Sequence, residues 1–191
     1  MREFIGLLMV FIFVGCATNS SFDRGEVMRV DPKSINDTSL GFGAQDLHIV
    51  VEKMVSSMLK HQLFDGTPVI DIKDIENRTD EHIDTKAITD SIRTMVIKSN
   101  RARFVDSSMR PILIDELNYQ NSNKYMDKTK SKQIGKHISQ GYILDGAITA
   151  IKQRNNNQIS YFYKVVLQLH NIETASIDWI DEQEIRKVYI K

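Results

Sequence analysis

The sequence predicts an α/β domain of the mixed α+β kind: one mixed β-sheet flanked by helices, ending in an antiparallel meander. Three observations predict it. Residues 69–105, VIDIKDIENRTDEHIDTKAITDSIRTMVIKSNRARFV, read as strand, helix and strand. Residues 47–59 carry apolar side chains at helical spacing. Residues 159–170 alternate apolar and polar side chains after an asparagine-rich loop, which is the pattern of a half-buried hairpin. A strand–helix–strand unit of this length makes a crossover, with both strands in one sheet and the helix on a face.

At 191 residues the chain allows one domain of ordinary size, and a 41% apolar fraction suffices for a core. Lys plus Arg number 25, as do Asp plus Glu. No basic excess is available for phosphate contacts, so a nucleic-acid partner is not expected.

The chain opens Met1-Arg2-Glu3, runs apolar through FIGLLMVFIFV, and reaches Gly15-Cys16-Ala17. The run is shorter than the about 20 residues of a transmembrane helix and suits the core of a secretory signal. It resembles a bacterial lipoprotein signal. That resemblance implies cleavage before Cys16, two acyl chains on its thiol and a third on the new amine, a stable membrane anchor. Phe13 stands where Leu is usual, and Glu3 offsets Arg2. Ala17 after the cysteine, rather than Asp, implies the outer membrane, with the domain facing the periplasm. The expected division is residues 1–15 signal peptide, 16–43 lipidated cysteine and tether, and 44–191 globular domain. Cys16 is the single cysteine, so the domain has no disulfide and depends on its core. The tether is polar without sustained period. Its roughly 28 residues reach at most ~100 Å extended and ~30 Å as a relaxed coil.

From about Gln45, the residues Leu47, Val50, Val51, Met54, Val55, Met58 and Leu59 form a helical stripe, with Asp46 placed to favour the helix dipole. The methionines read as core filler. Asp65-Gly66-Thr67-Pro68 is a turn that launches a strand from Val69 through Ile72 to Ile75. Glu76-Asn77-Arg78-Thr79 reads as a polar turn. The next helix points Ile88, Ile92, Met95, Val96 and Ser99 to one side, and Arg103-Phe104-Val105 is a short strand. Asp106-Ser107-Ser108 is an N-cap cluster. It opens a helix that is expected to bury Ile112, Leu113 and Leu117, with Pro111 tolerated in the first turn. Asn121-Ser122-Asn123 ends it. Asp127 is expected to cap another short helix with Ile134 and Ile138 facing inward. Lys124, Lys128, Lys130, Lys132 and Lys136 make either a solvated face or a contact for an acidic partner or anionic cell-wall polymer. The meander runs Tyr142–Lys152, a loop at Arg154–Gln158, then Ile159–His170. A turn near Glu173-Thr174-Ala175-Ser176 leads to a third strand through Trp179, which continues or resumes near Val188-Tyr189-Ile190. The sheet therefore has five expected strands.

Motifs for chemistry are missing. The sequence has no GxxxxGK[ST], GxGxxG or GxSxG. His48, His61, His82, His137 and His170 are scattered and read as surface or edge residues. Asp178, Asp181, Glu182 and Glu184 make a loose Ca²⁺ site or a solvated acidic edge, without EF-hand spacing. Asp71 and Asp74 flank a strand but have no partner nucleophile. The expectation is a binding module, not an enzyme, with no cofactor, no metal and no small-molecule substrate.

The combined pattern resembles the LpoB family of outer-membrane lipoproteins, activators of class A penicillin-binding proteins. The features that carry it are the lipidated Cys16 and polar tether, the helix ending MVSSMLK, and the strand with its Glu76-Asn77-Arg78-Thr79 turn. The helix TKAITDSIRTMVIKSNRARFV and the strand GYILDGAITAI complete it, so that it covers residues 44–190. The resemblance implies a fold like the TolB amino-terminal domain and a partner: the regulatory docking domain of a bifunctional class A penicillin-binding protein, whose synthesis of glycan strands and crosslinks is stimulated. It implies partner contact at Asn77, Arg78 and Thr79, where Asn and Thr also serve to cap the helix and close the turn. Best-known members carry a longer, proline-rich tether; here the tether holds one proline, Pro32. A likeness to curli-secretion lipoproteins leaves a second reading, a component of an outer-membrane secretion assembly. That reading needs membrane-spanning strands of about 9–11 residues with an apolar outer face, and Lys152, Lys164, Gln168 and His170 suit a soluble sheet better. A non-catalytic envelope module with another partner is the third reading.

Overall fold

The computed structural model describes residues 39–122 and 124–190. Helix α1 spans Ala44–Lys60, strand β1 Val69–Ile72, strand β2 Glu76–Arg78, helix α2 Thr85–Ser99 and strand β3 Arg103–Phe104. Helix α3 spans Arg110–Ser122, and strands β4, β5 and β6 span Tyr142–Arg154, Gln158–Asn171 and Ile177–Ile190. The strands form one mixed sheet in the order β3-β1-β4-β5-β6, with β2 paired to β4.

The crossover forms as the periodicity predicts. β1 and β3 are parallel, with Val69 beside Arg103 and Ile70 beside Phe104, and α2 connects them. Asp84 caps α2 by accepting from the Ala87 amide at 3.0 Å, and Asn100 ends it in the left-handed region at φ 55°. Ile88, Ile92 and Val96 of α2 are fully buried against Ile70, Leu144 and Ile148 of the sheet. From the other helix, Val50, Met54, Val55 and Met58 enter the same core. Each such side chain contributes ~1.5–3 kcal/mol of transfer free energy. Met54 and Met58 are thus core residues.

Gly146 of β4 is fixed by its neighbour. A Cβ there would lie 2.3 Å from the Val166 carbonyl oxygen and 2.6 Å from Leu167 Cδ2. Its place in LDGAI is therefore a requirement of close strand approach.

Three expectations are corrected, and a fourth, left with two options, is decided. Glu76-Asn77-Arg78 is a strand, not a turn, because β4 runs 13 residues while β1 covers only Tyr142, Ile143 and Leu144 of it. The free side of Ala147, Ile148 and Thr149 takes β2 in parallel, and the sheet has six strands instead of five. Second, α3 buries nothing: Ile112, Leu113 and Ile114 are exposed and Leu117 is half-buried. The segment instead holds α3 by polar bonds, from Arg110 to Gln140 and from Asn121 to the Lys132 carbonyl. Third, no helix follows Asp127, whose carboxylate instead closes a turn with the Thr129 amide and hydroxyl. Those bonds, the hydroxyl first, hold its carboxyl below the usual carboxylate range. Ile134 and Ile138 lie exposed. Fourth, β6 is continuous from Ile177 to Ile190, paired with β5 throughout and bulged only at Leu169/His170.

Candidate partner-binding surface

The stretch singled out by sequence, Asn77-Arg78-Thr79, lies on β2 and its exit. Two of the three side chains build the turn. Asn77 Nδ2 donates to the Glu81 carbonyl at 2.8 Å, and Asn77 Oδ1 accepts from the Thr79 amide at 3.0 Å and the Thr79 hydroxyl at 2.7 Å. The Glu81 amide donates to Thr79 Oγ1 at 3.2 Å. Arg78 is different. Its side chain is 58% exposed, and its guanidinium grips the equally exposed Glu76 through Nε at 2.7 Å and through a second bond from Nη2. That bond lowers the Glu76 carboxyl and raises Arg78, with the Asp145 charge on β4 adding to the latter. Arg78 is the member of the trio whose chemistry faces outward.

The turn then presents Glu81 to the domain's first described residues. The Glu81 carboxylate accepts from the fully buried Tyr163 hydroxyl at 2.8 Å and from the Phe42 amide at 3.2 Å. Burial first, and then this carboxylate, push the Tyr163 phenol well above its ordinary range. Lys187 of β6 donates to the Gly41 carbonyl at 2.7 Å and pairs with the buried Asp46 at 2.6 Å. Asp46 in turn accepts from the Gly43 amide at 2.7 Å, capping α1. Phe42 meets the Tyr163 ring edge-on at 5.6 Å. Residues 40–43 are therefore strapped to β5, β6 and the β2 turn. Sequence reading gave Asp46 only a dipole role and missed this network, because its partners stand 82 and 141 positions apart.

Two further surfaces are open. The side of the meander away from α1 and α2 shows Ile151, Phe162, Val166, Ile180 and Val188 among charged residues. On it Lys164 sits 3.0 Å from Glu182 and 3.2 Å from Glu184, and His170 sits 3.2 Å from Asp145. The Lys164 ammonium is raised, by Glu182 first and then Glu184. Elsewhere, α3 and the segment after it expose Ile112, Leu113, Ile134 and Ile138 next to Lys124, Lys128, Lys130, Lys132 and Lys136. A cleft of about 210 Å³ lies there, lined by Phe104, Val105, Asp106, Arg110, Leu113, His137 and Ile138.

The remaining chemical candidates separate. Asp71 is buried, its Oδ2 without a hydrogen-bond partner among the described residues but ion-paired with Lys73 at 4.0 Å, while Asp74 is exposed. The histidines are exposed or half-buried, at the surface as expected. Asp178 bonds Ser176 and Asn171, which hold its carboxyl below the usual range. Among the described residues no group of three or more His, Cys, Asp or Glu is placed to hold a metal ion. Cys16 lies outside the described residues. None of the described helices is long and apolar enough to cross a membrane.

The class these features define is a mixed α/β domain on a single open sheet, with a charged strand edge and an apolar, lysine-flanked helix as its exposed features. The chain belongs to the LpoB family: the family model for the peptidoglycan-synthase activator LpoB matches residues 46–185. The family's role is regulatory rather than catalytic. It sets the chain in an envelope lipoprotein context, with a peptidoglycan synthase as partner in general terms. Among solved structures, the chain is similar to the LpoB C-terminal domains from Salmonella enterica and from Escherichia coli. Each is 17% identical, with a TM-score of 0.44, 73% of this chain covered and 98% of that one. It is also similar to the lipoprotein GNA1162 from Neisseria meningitidis, at 10% identity and a TM-score of 0.40, covering 63% of this chain and 83% of that one. No curated protein matches the chain.

Proposed function

We propose that this chain is a lipid-anchored regulator that binds the regulatory docking domain of a bifunctional class A penicillin-binding protein and stimulates its synthesis of peptidoglycan. In this reading residues 1–15 are a signal peptide, and Cys16 carries the acyl chains in the outer membrane. Residues 16–43 are the tether, its last four strapped onto the domain, and residues 44–191 bind the partner from the periplasmic side. The observation that carries the reading is the family match across residues 46–185. Arg78 is the proposed contact, since its guanidinium is exposed and held in place by Glu76. Asn77 and Thr79 set its position through the turn. A binding module raises its partner's rate only by favouring the partner's active state, and this domain would act that way.

The test is a pull-down of the organism's solubilised class A penicillin-binding proteins on the lipid-free chain from residue 17 onward, with glycan-strand synthesis followed in the same tubes. Capture with faster synthesis is expected, and Arg78→Glu should weaken capture roughly 10-fold while leaving the melting temperature unchanged. If no such protein is captured, the reading fails.

A further inference from the structure

The turn that follows β2 is not held by its own residues alone. Its far end is Glu81, and Glu81 bonds in two directions. Its backbone serves the turn: the carbonyl accepts from Asn77 Nδ2 at 2.8 Å, and the amide donates to Thr79 Oγ1 at 3.2 Å. Its carboxylate serves the strap of residues 40–43: Oε2 accepts from the Phe42 amide at 3.2 Å, and both oxygens lie 2.8 Å from the Tyr163 hydroxyl. A Cβ on Gly41 would meet Oε2 at 3.3 Å, so the strap's backbone closes directly on this group. One half-buried residue therefore joins the last residues before α1 to the turn, across 39 positions of sequence.

The turn also aims Arg78. Neighbouring side chains of a strand leave opposite faces. Asn77 therefore points away from Glu76 and Arg78, which share a face and bond each other. Asn77 and Thr79 stand on either side of Arg78. They are locked together through Asn77 Oδ1, at 3.0 Å from the Thr79 amide and 2.7 Å from its hydroxyl, and both are bonded to the Glu81 backbone. Fixing both neighbours fixes the backbone from which the guanidinium departs. β2 itself gives limited support, being three residues paired with β4. Side-chain bonds therefore decide how well the turn is ordered, and Glu81 ties them to the strap. Hydrogen bonds to a carboxylate are among the stronger ones. Undocking of residues 40–43 takes the Phe42 amide from that carboxylate, and with it the tie between strap and turn.

We propose that Glu81 couples the end of the tether to the partner-binding turn: docking of residues 40–43 orders the turn and presents Arg78, and a partner bound at Arg78 fastens the strap in return. Such coupling is reciprocal by linkage. Glu81 is thus a positioning residue that acts through Arg78. The link from strap to turn is a property of the folded chain alone; its effect on a partner rests on the synthase reading.

Amide hydrogen exchange of the full chain in detergent, read residue by residue by NMR, tests the link without a partner. The Thr79 and Glu81 amides report the turn, and the Ile92 and Val96 amides of α2 report the whole domain. Phe42→Ala withdraws the ring that meets Tyr163 at 5.6 Å. It should loosen the strap and speed exchange at Thr79 and Glu81 about 5-fold. Glu81→Ala keeps the backbone groups that hold the turn and removes only the carboxylate. It should speed the Thr79 amide equally, and adding Phe42→Ala to it should have no further effect. Met54→Ala, a core loss away from the strap, should speed α2 and leave the turn as in the parent. Unchanged exchange at Thr79 and Glu81 in Phe42→Ala overturns the proposal. So do additive effects in the double variant, or a turn that answers Met54→Ala as strongly as Phe42→Ala. Capture of class A penicillin-binding proteins by the same chains is the second readout. Phe42→Ala should weaken it about 5-fold, and capture as tight as the parent's overturns the proposal. If the parent captures none, the synthase reading has failed, and the exchange rates decide the proposal alone.

Discussion

Helices α1 and α3 are comparable in length, 17 and 13 residues, and both are rich in Ile, Leu, Val or Met. Yet α1 buries seven residues and α3 none. The difference is in spacing and in what lies beneath. In α1 the apolar residues come in pairs, Val50-Val51, Met54-Val55 and Met58-Leu59, so one broad stripe returns every turn to the sheet. In α3 the apolar residues Ile112, Leu113 and Ile114 are consecutive and point around the helix, with Asp115 and Glu116 directly after them. α1 is also tied to the sheet by the Asp46–Lys187 pair, whereas α3 is held to residues 127–140 by exposed and part-buried polar bonds. Apolar content alone therefore marks a helix but does not say that it is packed.

The comparison breaks most sharply at Lys187. Lys187→Met leaves Asp46 buried without its counter-charge and should cost ~3–5 kcal/mol, read as a large drop in the urea midpoint. Met54→Ala, in the middle of the α1 stripe, should cost ~2–5 kcal/mol by the same measurement. Tyr163→Phe removes a bond to the partly buried Glu81 and should cost ~1–3 kcal/mol. It also carries a pH signature. The phenol is raised above its ordinary value of 10.0 in the folded chain. Its contribution is therefore complete below that value and is lost as pH rises above it, because the unfolded chain releases the proton first. Stability of the parent should fall above pH ~10, and Tyr163→Phe should remove that part of the fall. Last, Leu113→Ser in α3 should change stability by no more than ~0.5 kcal/mol. A loss in α3 equal to that of Met54→Ala would show that α3 packs against something in solution.

Most of the core was legible, because it rests on local periodicity: the α1 stripe, the α2 face and the β5 alternation each repeat within one element. Three things were not. β2 is three polar residues, whose pairing is decided by how much of β4's edge β1 leaves free. The middle of β6, Asp181 through Lys187, is mostly charged and shows none of the alternation that reveals a half-buried strand, so its continuity was only one of two options. The strap depends on Tyr163, Glu81, Lys187 and Asp46, which meet only through the tertiary fold. At the candidate surface, the sequence marked Asn77, Arg78 and Thr79 together. Only hydrogen-bond geometry separates the two that shape the turn from the arginine that faces out.

The strap at residues 40–43 also sets how the domain bears tension. A pull on the chain ahead of Ser39 reaches α1 only after passing three anchor points on separate parts of the fold: Lys187 on β6, Tyr163 on β5 and Glu81 beyond β2. Load is shared across them before it reaches the helix, so α1 is not unwound turn by turn from its first residue. Without Lys187 the path narrows, and the first helical turn takes the force. Forced unfolding reads the barrier and not the equilibrium, so a single-molecule pull from the N-terminal side should show Lys187→Met rupturing at lower force. A pull from the C-terminal end of β6 would peel that strand from β5 in either case.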